Sequence, residues 1–418
     1  MIDWEGRDAL AWLRRVRGIV ALLATACAPS ALAGGPAFSG IAAPADSPET
    51  AVSNPAGMTR LDGTQFEVRT VVGDGLGNFD VDESQTTMSG GDPRDNFSPV
   101  IVPAGFYVRP LDDRWRVGLS LTVPSGFGAD YGPHWAGRYY TDDYSLVYVA
   151  LTPAVAYRVD DRLSLGAAVN VNYTSSTTQV AINTLAPNVS DGRLEAELSG
   201  VGASVTVSML WEFDARNRFG LTYTSEAKAN LKGDLNFHDV GPVLGPILQA
   251  TNLNGANIKV ENILPQHVIA GVYHESDSGW YATVDAVWVD FSKFATGTVS
   301  LDGTDLDVDD GGGFQDFSGV TLGFGMPCAR YTCSAGAFYV TSPVSNADRT
   351  LALALDRMWG VGVGISIPSA NARKLDVNFN VINFGNAPVD TGPSLARGQI
   401  VGKTDNPYAI AIDASYQF

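Results

Sequence analysis

Alternating apolar and polar residues recur along this chain from Gln65 to its end, and this pattern restricts the possible folds more than any other feature. It is clearest in the last segment, where Ile410 and Ile412 alternate with Ala411 and Asp413. Successive side chains of a β-strand point to opposite faces, so such a segment is predicted to form a strand with one apolar face. Fourteen segments fit the pattern, at residues 65–79, 99–109, 114–128, 146–158, 162–180, 193–212, 217–230, 258–275, 279–292, 316–326, 333–341, 350–366, 372–384 and 408–418.

The connections between these segments are alternately short and long. Six of them are short and polar, at residues 111–113, 160–161, 214–216, 276–278, 329–332 and 369–371. The others are mostly longer, at residues 80–98, 129–145, 181–192, 231–257, 293–315, 342–349 and 385–407. Short turns at one rim and long loops at the other are typical of an outer-membrane barrel. The sequence therefore predicts an all-β fold, a 14-stranded antiparallel transmembrane β-barrel over residues 62–418, in the bacterial outer membrane.

The residues before the barrel divide into two segments. Three arginines at positions 14, 15 and 17 precede an apolar core at residues 18–28, and an A-x-A pattern ends at Ala33. This is the pattern of a secretory signal peptide, which we predict over residues 1–33. Residues 34–61 contain four prolines and no alternation. We therefore expect them to form a short N-terminal hatch, which plugs the lumen of the barrel.

The charge balance restricts the partners. The formal net charge is −18, which argues against a nucleic-acid partner. The spacing of Asp305, Asp307 and Asp309 is like that of a calcium-binding loop, but Asp310 stands where such a loop requires glycine. A solvated acidic loop is therefore the preferred interpretation of residues 302–310, and no metal site and no cofactor are predicted.

Catalytic motifs are missing from the sequence. Its four histidines form no zinc-protease pattern, and neither a G-x-S-x-G elbow nor a phosphate-binding loop is present. The chain is therefore not predicted to be an enzyme, although a hydrolase built into a barrel remains an alternative. Cys328 and Cys333 are close enough in sequence to form a disulfide in an oxidising compartment, and two free thiols are the alternative.

Two long connections carry unusual apolar content for segments that should face water. One contains Val243, Leu244, Ile247 and Leu248, and the other, residues 131–140, contains Trp135 and Tyr139. An exposed apolar patch usually marks a binding surface. These residues therefore either capture a hydrophobic ligand or fold onto the barrel mouth and pack there, and the two connections are candidates to contact each other.

The third predicted strand has an unusual end. Its alternation reaches Val123 and then meets Pro124, Ser125, Gly126, Phe127 and Gly128. Proline cannot donate to a β-ladder and glycine weakens a strand, so pairing is expected to break here. A broken ladder would open a gap in the wall of a closed barrel, whereas a strand that simply ends at Val123 would not.

These residues together resemble the FadL/TodX family of outer-membrane channels for hydrophobic compounds. The resemblance covers essentially the whole chain after the signal peptide. It rests on Asn54-Pro55-Ala56 before the first strand, on the third-strand interruption followed by Trp135 and Arg138-Tyr139, and on the terminal Phe418. A chain that ends on Tyr416 and Phe418 in this phase also resembles the signal read by the barrel-assembly machinery.

The resemblance implies passive transport of long-chain fatty acids or other hydrophobic molecules. Extracellular loops would capture the ligand, the hatch containing Asn54, Pro55 and Ala56 would gate the lumen, and the ligand would leave sideways at the third-strand kink. The expected partners are a fatty acid or aromatic ligand, outer-membrane lipid and, during biogenesis, the barrel-assembly machinery, and a monomer is expected. A general porin or an adhesin is the alternative from another functional class.

Overall fold

The computed structural model describes residues 35–93, 99–184, 188–294, 298–302, 304–307, 313–352, 354–369, 373–395 and 397–418. The predicted signal peptide lies outside these residues, as do residue 303 and residues 308–312 of the acidic loop. Among the helices of the described part of the chain, none has the length and apolar content needed to cross a membrane.

Strands make up most of the described chain, with few helices. The strands are β1 (Gln65–Gly75), β2 (Asn78–Val81), β3 (Val100–Pro110), β4 (Trp115–Asp130), β5 (Asp143–Arg158), β6 (Leu163–Ile182), β7 (Gly192–Glu212), β8 (Asn217–Thr224), β9 (Ala227–His238), β10 (Ala256–Leu264), β11 (His267–Glu275), β12 (Tyr281–Val289), β13 (Thr298–Leu301), β14 (Thr304–Asp307), β15 (Phe317–Cys328), β16 (Tyr331–Val340), β17 (Met358–Pro368), β18 (Lys374–Asn383), β19 (Val389–Asp390), β20 (Val401–Asp405) and β21 (Tyr408–Gln417). The helices are α1 (Thr50–Ser53), α2 (Gly241–Ala250) and the 3₁₀ helices Pro55–Arg60 and Phe291–Lys293, and a further turn spans Gly35–Phe38.

Antiparallel pairing closes a ring of 14 described strands. The order around the ring is β1, β3, β4, β5, β6, β7, β8, β11, β12, β15, β16, β17, β18 and β21, and β21 pairs with β1 to complete it. The predicted 14-stranded antiparallel barrel is thus confirmed. Closure pairs the edge strands with each other, which is what a bilayer requires because its core offers no water to unpaired backbone groups.

The two faces of the wall have the predicted chemistry. Along β21, Ile410 and Ile412 are exposed on the outer face, whereas Asp413 and Ser415 are buried on the inner face. The other wall strands expose valine, leucine and aromatic side chains in the same alternation. An apolar outer face and a polar lumen are what separates a membrane-spanning barrel from a soluble one.

Several predicted strands are wrong in their extent. The segment 217–230 is divided into β8 and β9, and the segment 258–275 is divided at Pro265 into β10 and β11. The reason is that β9 does not continue β8 but pairs with residues 193–199 of β7, the end nearest the long loops. β10 pairs with β9 and β13 on the same long-loop side of the ring. The predicted strand 350–366 is also displaced, since β17 begins only at Met358.

A disulfide lies at the hairpin between β15 and β16. The structure joins Cys328 to Cys333, with their Cα atoms 5.8 Å apart. We expect the double variant Cys328→Ser and Cys333→Ser to lower the free energy of unfolding by about 2 kcal/mol, because a short cross-linked loop constrains the unfolded chain only modestly. Urea unfolding of the purified protein measures this, and an unchanged unfolding midpoint would contradict it.

Candidate functional site

The tripeptide Asn54-Pro55-Ala56 lies inside the barrel and is bonded to the wall. The side-chain amide nitrogen of Asn54 donates to the Ala42 carbonyl at 2.6 Å and to the Met209 carbonyl of β7 at 3.2 Å. Pro55 begins the 3₁₀ helix, and the Ala56 N–H donates to the Ser208 hydroxyl at 2.9 Å. Asn54 therefore connects two parts of the hatch with the wall, which accounts for an asparagine at this position.

Glycines in the wall let the hatch backbone approach closely. A Cβ atom at Gly166 would lie 2.2 Å from the Ala56 nitrogen, and one at Gly220 would lie 2.0 Å from the Ala42 oxygen. Real Cβ atoms do not come this close to a backbone atom, so any larger residue at either position would displace the hatch.

Asp285 of β12 is the main anchor of the first part of the hatch. Its carboxylate accepts backbone N–H bonds from Gly40 at 2.8 Å, from Ile41 at 3.1 Å and from Ala42 at 3.0 Å. The side chain is completely buried. Sequence reasoning missed this residue, although an acidic side chain on the inner face of a strand that reads YATVDAVWV was a usable signal.

Ion pairs and arginine-to-carbonyl hydrogen bonds hold the rest of the hatch. Glu49 forms a bidentate pair with Arg69 of β1, with oxygen–nitrogen distances of 2.6 and 2.7 Å. Arg218 of β8 donates to the Ala43 and Pro44 carbonyls at 3.1 and 3.0 Å. Further arginine contacts near the rim of short turns are Arg116 to the Leu61 carbonyl, Arg158 to the Thr59 carbonyl and Arg60 to Glu212. The hatch is thus held around much of the barrel circumference at this rim.

A cavity of about 150 Å³ lies between the hatch and the wall. Its polar lining comes from threonine, serine and asparagine side chains of β4 to β8, and its apolar lining includes Phe38, Ile41, Leu264 and Ile269. The cavity also reaches Pro124 in the predicted third-strand interruption. A concave space that combines apolar surface with a few polar groups is the usual form of a small-molecule site.

One hydrogen bond spans the lumen next to the cavity, toward the rim of long loops. The Tyr148 hydroxyl of β5 donates to the Asn262 side-chain oxygen of β10 at 3.0 Å, and both residues are buried. Tyr148 precedes Ala150, which lines the cavity, by two residues in β5, and Asn262 precedes Leu264 by two in β10. The bond therefore lies between the cavity and the long loops.

The wall is interrupted beside the same cavity. The ladder between β3 and β4 ends at the pair Gly105–Leu121. Beyond it β3 continues to Val100 paired with β1, and β4 continues to Asp130 paired with β5. We call the unpaired stretch, residues 100–104 facing residues 122–130, the β3–β4 gap.

The interruption differs from a simple strand end. β4 continues past Val123, so the alternative in which the strand stops there is wrong. Instead the register on β5 shifts by one residue, since Thr122 opposes Ala150 and Ser125 opposes Tyr148. Such a bulge bends the strand that carries it. β4 therefore keeps its pairing with β5 and loses only its pairing with β3.

The apolar connection near residue 243 forms helix α2, which packs onto the barrel with one face and leaves the other exposed. Leu244 and Leu248 are buried and pack against Leu194, Leu231 and neighbouring side chains of β7, β9 and β10. On its other side, Val243 and Ile247 are 44% and 50% exposed. Helix α2 is therefore anchored by one pair and presents the other pair to solvent.

The aromatic connection is more buried than helix α2. Trp135 stacks on Tyr131, with ring centroids 4.7 Å apart, and it meets Phe79 edge-on at 5.9 Å. The Tyr139 hydroxyl donates to Asp191 at 2.6 Å. This loop packs in a cluster with β2 and Ile400, whereas α2 packs on β7, β9 and β10, so the buried side chains of the two connections belong to separate clusters.

The rival interpretations find little support in the same region. Ser225 and His267 both line the cavity, but the Ser225 hydroxyl accepts from the Val205 N–H at 3.0 Å and donates to the Glu226 carbonyl at 3.2 Å. In the described part of the chain the Ser225 hydroxyl is therefore occupied by backbone groups rather than by His267.

This chain is similar to known proteins in sequence and in structure. Residues 23–418 match the family described as outer membrane protein transport protein (OMPP1/FadL/TodX). The long-chain fatty acid transport protein of Escherichia coli strain K12 is 26% identical over 410 residues, which cover 90% of this chain and 87% of that protein. Outer membrane protein P1 of Haemophilus influenzae is 24% identical over 245 residues, 49% of this chain and 52% of that protein.

Solved structures share the fold. A Pseudomonas aeruginosa FadL homologue superimposes with a TM-score of 0.81 at 19% identity, over 95% of this chain and 99% of that one. The Ralstonia pickettii toluene transporter TbuX gives a TM-score of 0.67 at 18% identity, over 95% of this chain and 98% of that one. Together with the barrel fold, the family match shows that this chain is an outer-membrane protein and belongs to the OMPP1/FadL/TodX family of transport proteins.

Proposed function

We propose that this protein carries long-chain fatty acids or other hydrophobic molecules passively across the outer membrane. Helix α2 captures the ligand, the lumen cavity holds it beside the hatch, and the β3–β4 gap releases it sideways into the membrane. The observation that carries the proposal is that one cavity is lined both by the hatch and by Thr122 and Pro124, which lie at the edge of the gap.

The anchoring of the hatch favours a sideways exit over an axial one. An axial path would have to break the Asp285 bonds, the Glu49–Arg69 pair and the arginine contacts with the carbonyls of Ala43 and Leu61. Buried charge-assisted bonds are among the costly ones to break. The gap lacks a ladder between β3 and β4, so passage there breaks no wall pairing.

A sideways path also suits the physical chemistry of the ligand. Each buried CH₂ group gains about 0.8 kcal/mol on leaving water, so an 18-carbon chain strongly resists a watery pore. A path from an apolar helix face through a partly apolar cavity into lipid keeps the ligand out of water. No energy source is required, because the ligand moves toward the more favourable phase.

The assembled state has its own support. The Phe66 N–H donates to the Phe418 carbonyl, and the Phe418 N–H to the Phe66 carbonyl, at 2.9 Å each, which locks the last residue into the barrel seam. During biogenesis, before this seam forms, Tyr416 and Phe418 are the signal that the barrel-assembly machinery recognises. A closed ring is complete within one chain, which supports a monomer surrounded by outer-membrane lipid.

The capture step predicts a loss of uptake when the exposed face of α2 becomes charged. Val243→Asp with Ile247→Asp should lower uptake of labelled toluene several-fold at low concentration, because an apolar ligand no longer adsorbs there. Leu395→Asp, a change of an exposed apolar residue on another long loop, is the matched control and should leave uptake unchanged. Equal uptake by all three proteins would contradict a capture role for α2.

The proposed function itself is tested by uptake in cells with and without the full chain. Labelled oleate and labelled toluene are added outside, in a host that lacks its own channel of this family. We expect faster entry of at least one of them when the protein is present. If neither enters faster, while the protein is shown to be assembled in the outer membrane, the transport proposal fails.

A further inference from the structure

We infer that the lumen cavity selects an uncharged ligand with one hydrogen-bonding group on a ring-sized apolar body, such as a phenol or an aryl alcohol, and excludes carboxylates. The inference rests on the proposed transport function and narrows it to hydrophobic molecules other than ionised fatty acids. It is carried by the placement of Thr122 and Asn172 on either side of Ala150, at the inner edge of the β3–β4 gap.

The three residues form a niche on neighbouring strands. Thr122 of β4 opposes Ala150 of β5, and Ala150 opposes Asn172 of β6, so two polar side chains flank one methyl group. All three residues line the cavity. The small side chain of Ala150 leaves the space above it to a ligand group rather than to the wall.

Both polar side chains have unused hydrogen-bonding capacity. The Thr122 hydroxyl is buried without a partner in the described part of the chain, and the residue is only 9% exposed. The Asn172 amide makes a long bond of 3.4 Å to the Asn170 carbonyl. A buried polar group without a partner is costly, so a ligand hydroxyl or carbonyl that binds both would relieve that cost.

The neighbouring polar groups are already satisfied by one another. Thr152 donates to Asn170 at 3.0 Å, and Asn170 donates to Ser204 at 3.1 Å and to Thr206 at 2.9 Å. This network continues from Thr206 to Thr224 at 3.0 Å. The ligand head is therefore directed to the niche and not to the rest of the polar wall.

The charges around the cavity disfavour an anion. Among the described residues that line it, none is lysine or arginine, while the Glu49 carboxylate does line it. The guanidinium of Arg69, which pairs with the cavity-lining Glu49, is surrounded by three carboxylates, those of Glu49, Glu67 and Asp413. An ionised carboxylate placed here would be desolvated without a counter-charge.

The volume of the cavity is sufficient for a ring-sized group. A volume of about 150 Å³ is close to that of the cavity in which a benzene molecule is known to bind in another protein. The ring-sized body then contacts the apolar side of the cavity at Ile41, Leu264 and Ile269, and a longer tail extends toward the gap.

Three matched ligands test the inference on the unmodified protein. Radiolabelled 4-octylphenol, octylbenzene and 4-octylbenzoate differ only in the group on the ring, and their binding to the purified full chain in lipid nanodiscs is measured at pH 8, above the ordinary titration range of histidine. We expect 4-octylphenol to bind about five- to tenfold more tightly than octylbenzene, because the hydrogen bonding of its hydroxyl group in the niche adds to the binding free energy. Binding of 4-octylbenzoate should be at least about a hundredfold weaker than that of the phenol.

Variants locate the effect. Thr122→Val and Asn172→Leu should each bring 4-octylphenol binding down toward that of octylbenzene and leave octylbenzene binding unchanged. Thr178→Val is the control, because Thr178 is another buried threonine with an unpartnered hydroxyl but does not line the cavity. Equal losses in the control would overturn the assignment to the niche.

The two proposals fail in different ways. Tight binding of 4-octylbenzoate, or equal binding of 4-octylphenol and octylbenzene, would overturn the selectivity while transport of hydrophobic compounds stood. If none of the three compounds binds, and none enters cells faster when the protein is present, the transport function fails along with the inference.

Discussion

Replacing Gly126 by tryptophan should slow uptake of labelled toluene about tenfold without reducing assembly of the barrel. Gly126 is exposed on β4, beyond the last pair with β3, at the centre of the β3–β4 gap. A Cβ atom there meets only ordinary contacts, the nearest being the Leu146 oxygen at 3.6 Å. The indole can therefore enter the gap without displacing the strand, and it occupies the space through which the ligand would leave.

A matched control separates this effect from a general effect of tryptophan in the wall. Val363→Trp changes an exposed, outward residue of β17, whose neighbours β16 and β18 are paired with it on both sides. Its uptake should equal that of the unmodified protein. Assembly is checked by the heat-dependent gel mobility of folded barrels, and unchanged uptake in a fully assembled Gly126→Trp protein would count against the lateral exit.

Replacing Asp285 by alanine should turn the plugged barrel into a leaky one. The change leaves the N–H groups of Gly40, Ile41 and Ala42 without their buried acceptor, at a cost of several kcal/mol by the usual magnitude for charge-assisted bonds. The first part of the hatch should then detach from β12. We expect swelling of proteoliposomes in small sugars to rise at least about tenfold.

The ring of wall strands does not depend on this contact, so the variant barrel should still assemble. Asp376→Ala is the control, since that inner-face carboxylate contacts Lys374 and Ser415 of the wall rather than the hatch. Swelling equal to that of the unmodified protein would contradict this role of Asp285 and would show that the remaining contacts hold the hatch in place.

Much of this fold could be predicted from the sequence because the bilayer leaves few choices. Alternation fixes which face of a strand meets lipid, and closure fixes that every strand has two neighbours. The number of strands and the inward position of Asp413 followed from these rules. The division of residues 217–230 did not follow from them. It depends on the pairing of β9 with residues 193–199 of β7, which no local pattern in 217–230 indicates.

The candidate site was predictable only in part, for a related reason. Pro124 and Gly126 indicated a break, since their backbone chemistry acts locally. The side on which pairing is lost, and the bulge that keeps β5 in place, depend on both neighbouring strands at once. The roles of Asp285 and Thr122 are set by what the hatch and the cavity place next to them, and no local pattern states that.

The most direct test of lateral passage is to locate the ligand while it crosses the wall. Cells that make the full chain receive octylbenzene carrying a diazirine from outside, are illuminated during uptake, and the labelled residues are identified by mass spectrometry. We expect labelling at Thr122, at Pro124 and on residues 100–104 of β3 well above that at Val363, and loss of the β3 labelling in Gly126→Trp. Labelling that runs from the cavity along residues 54–60 to the rim of short turns, with none above the Val363 level at the gap, would contradict a lateral exit.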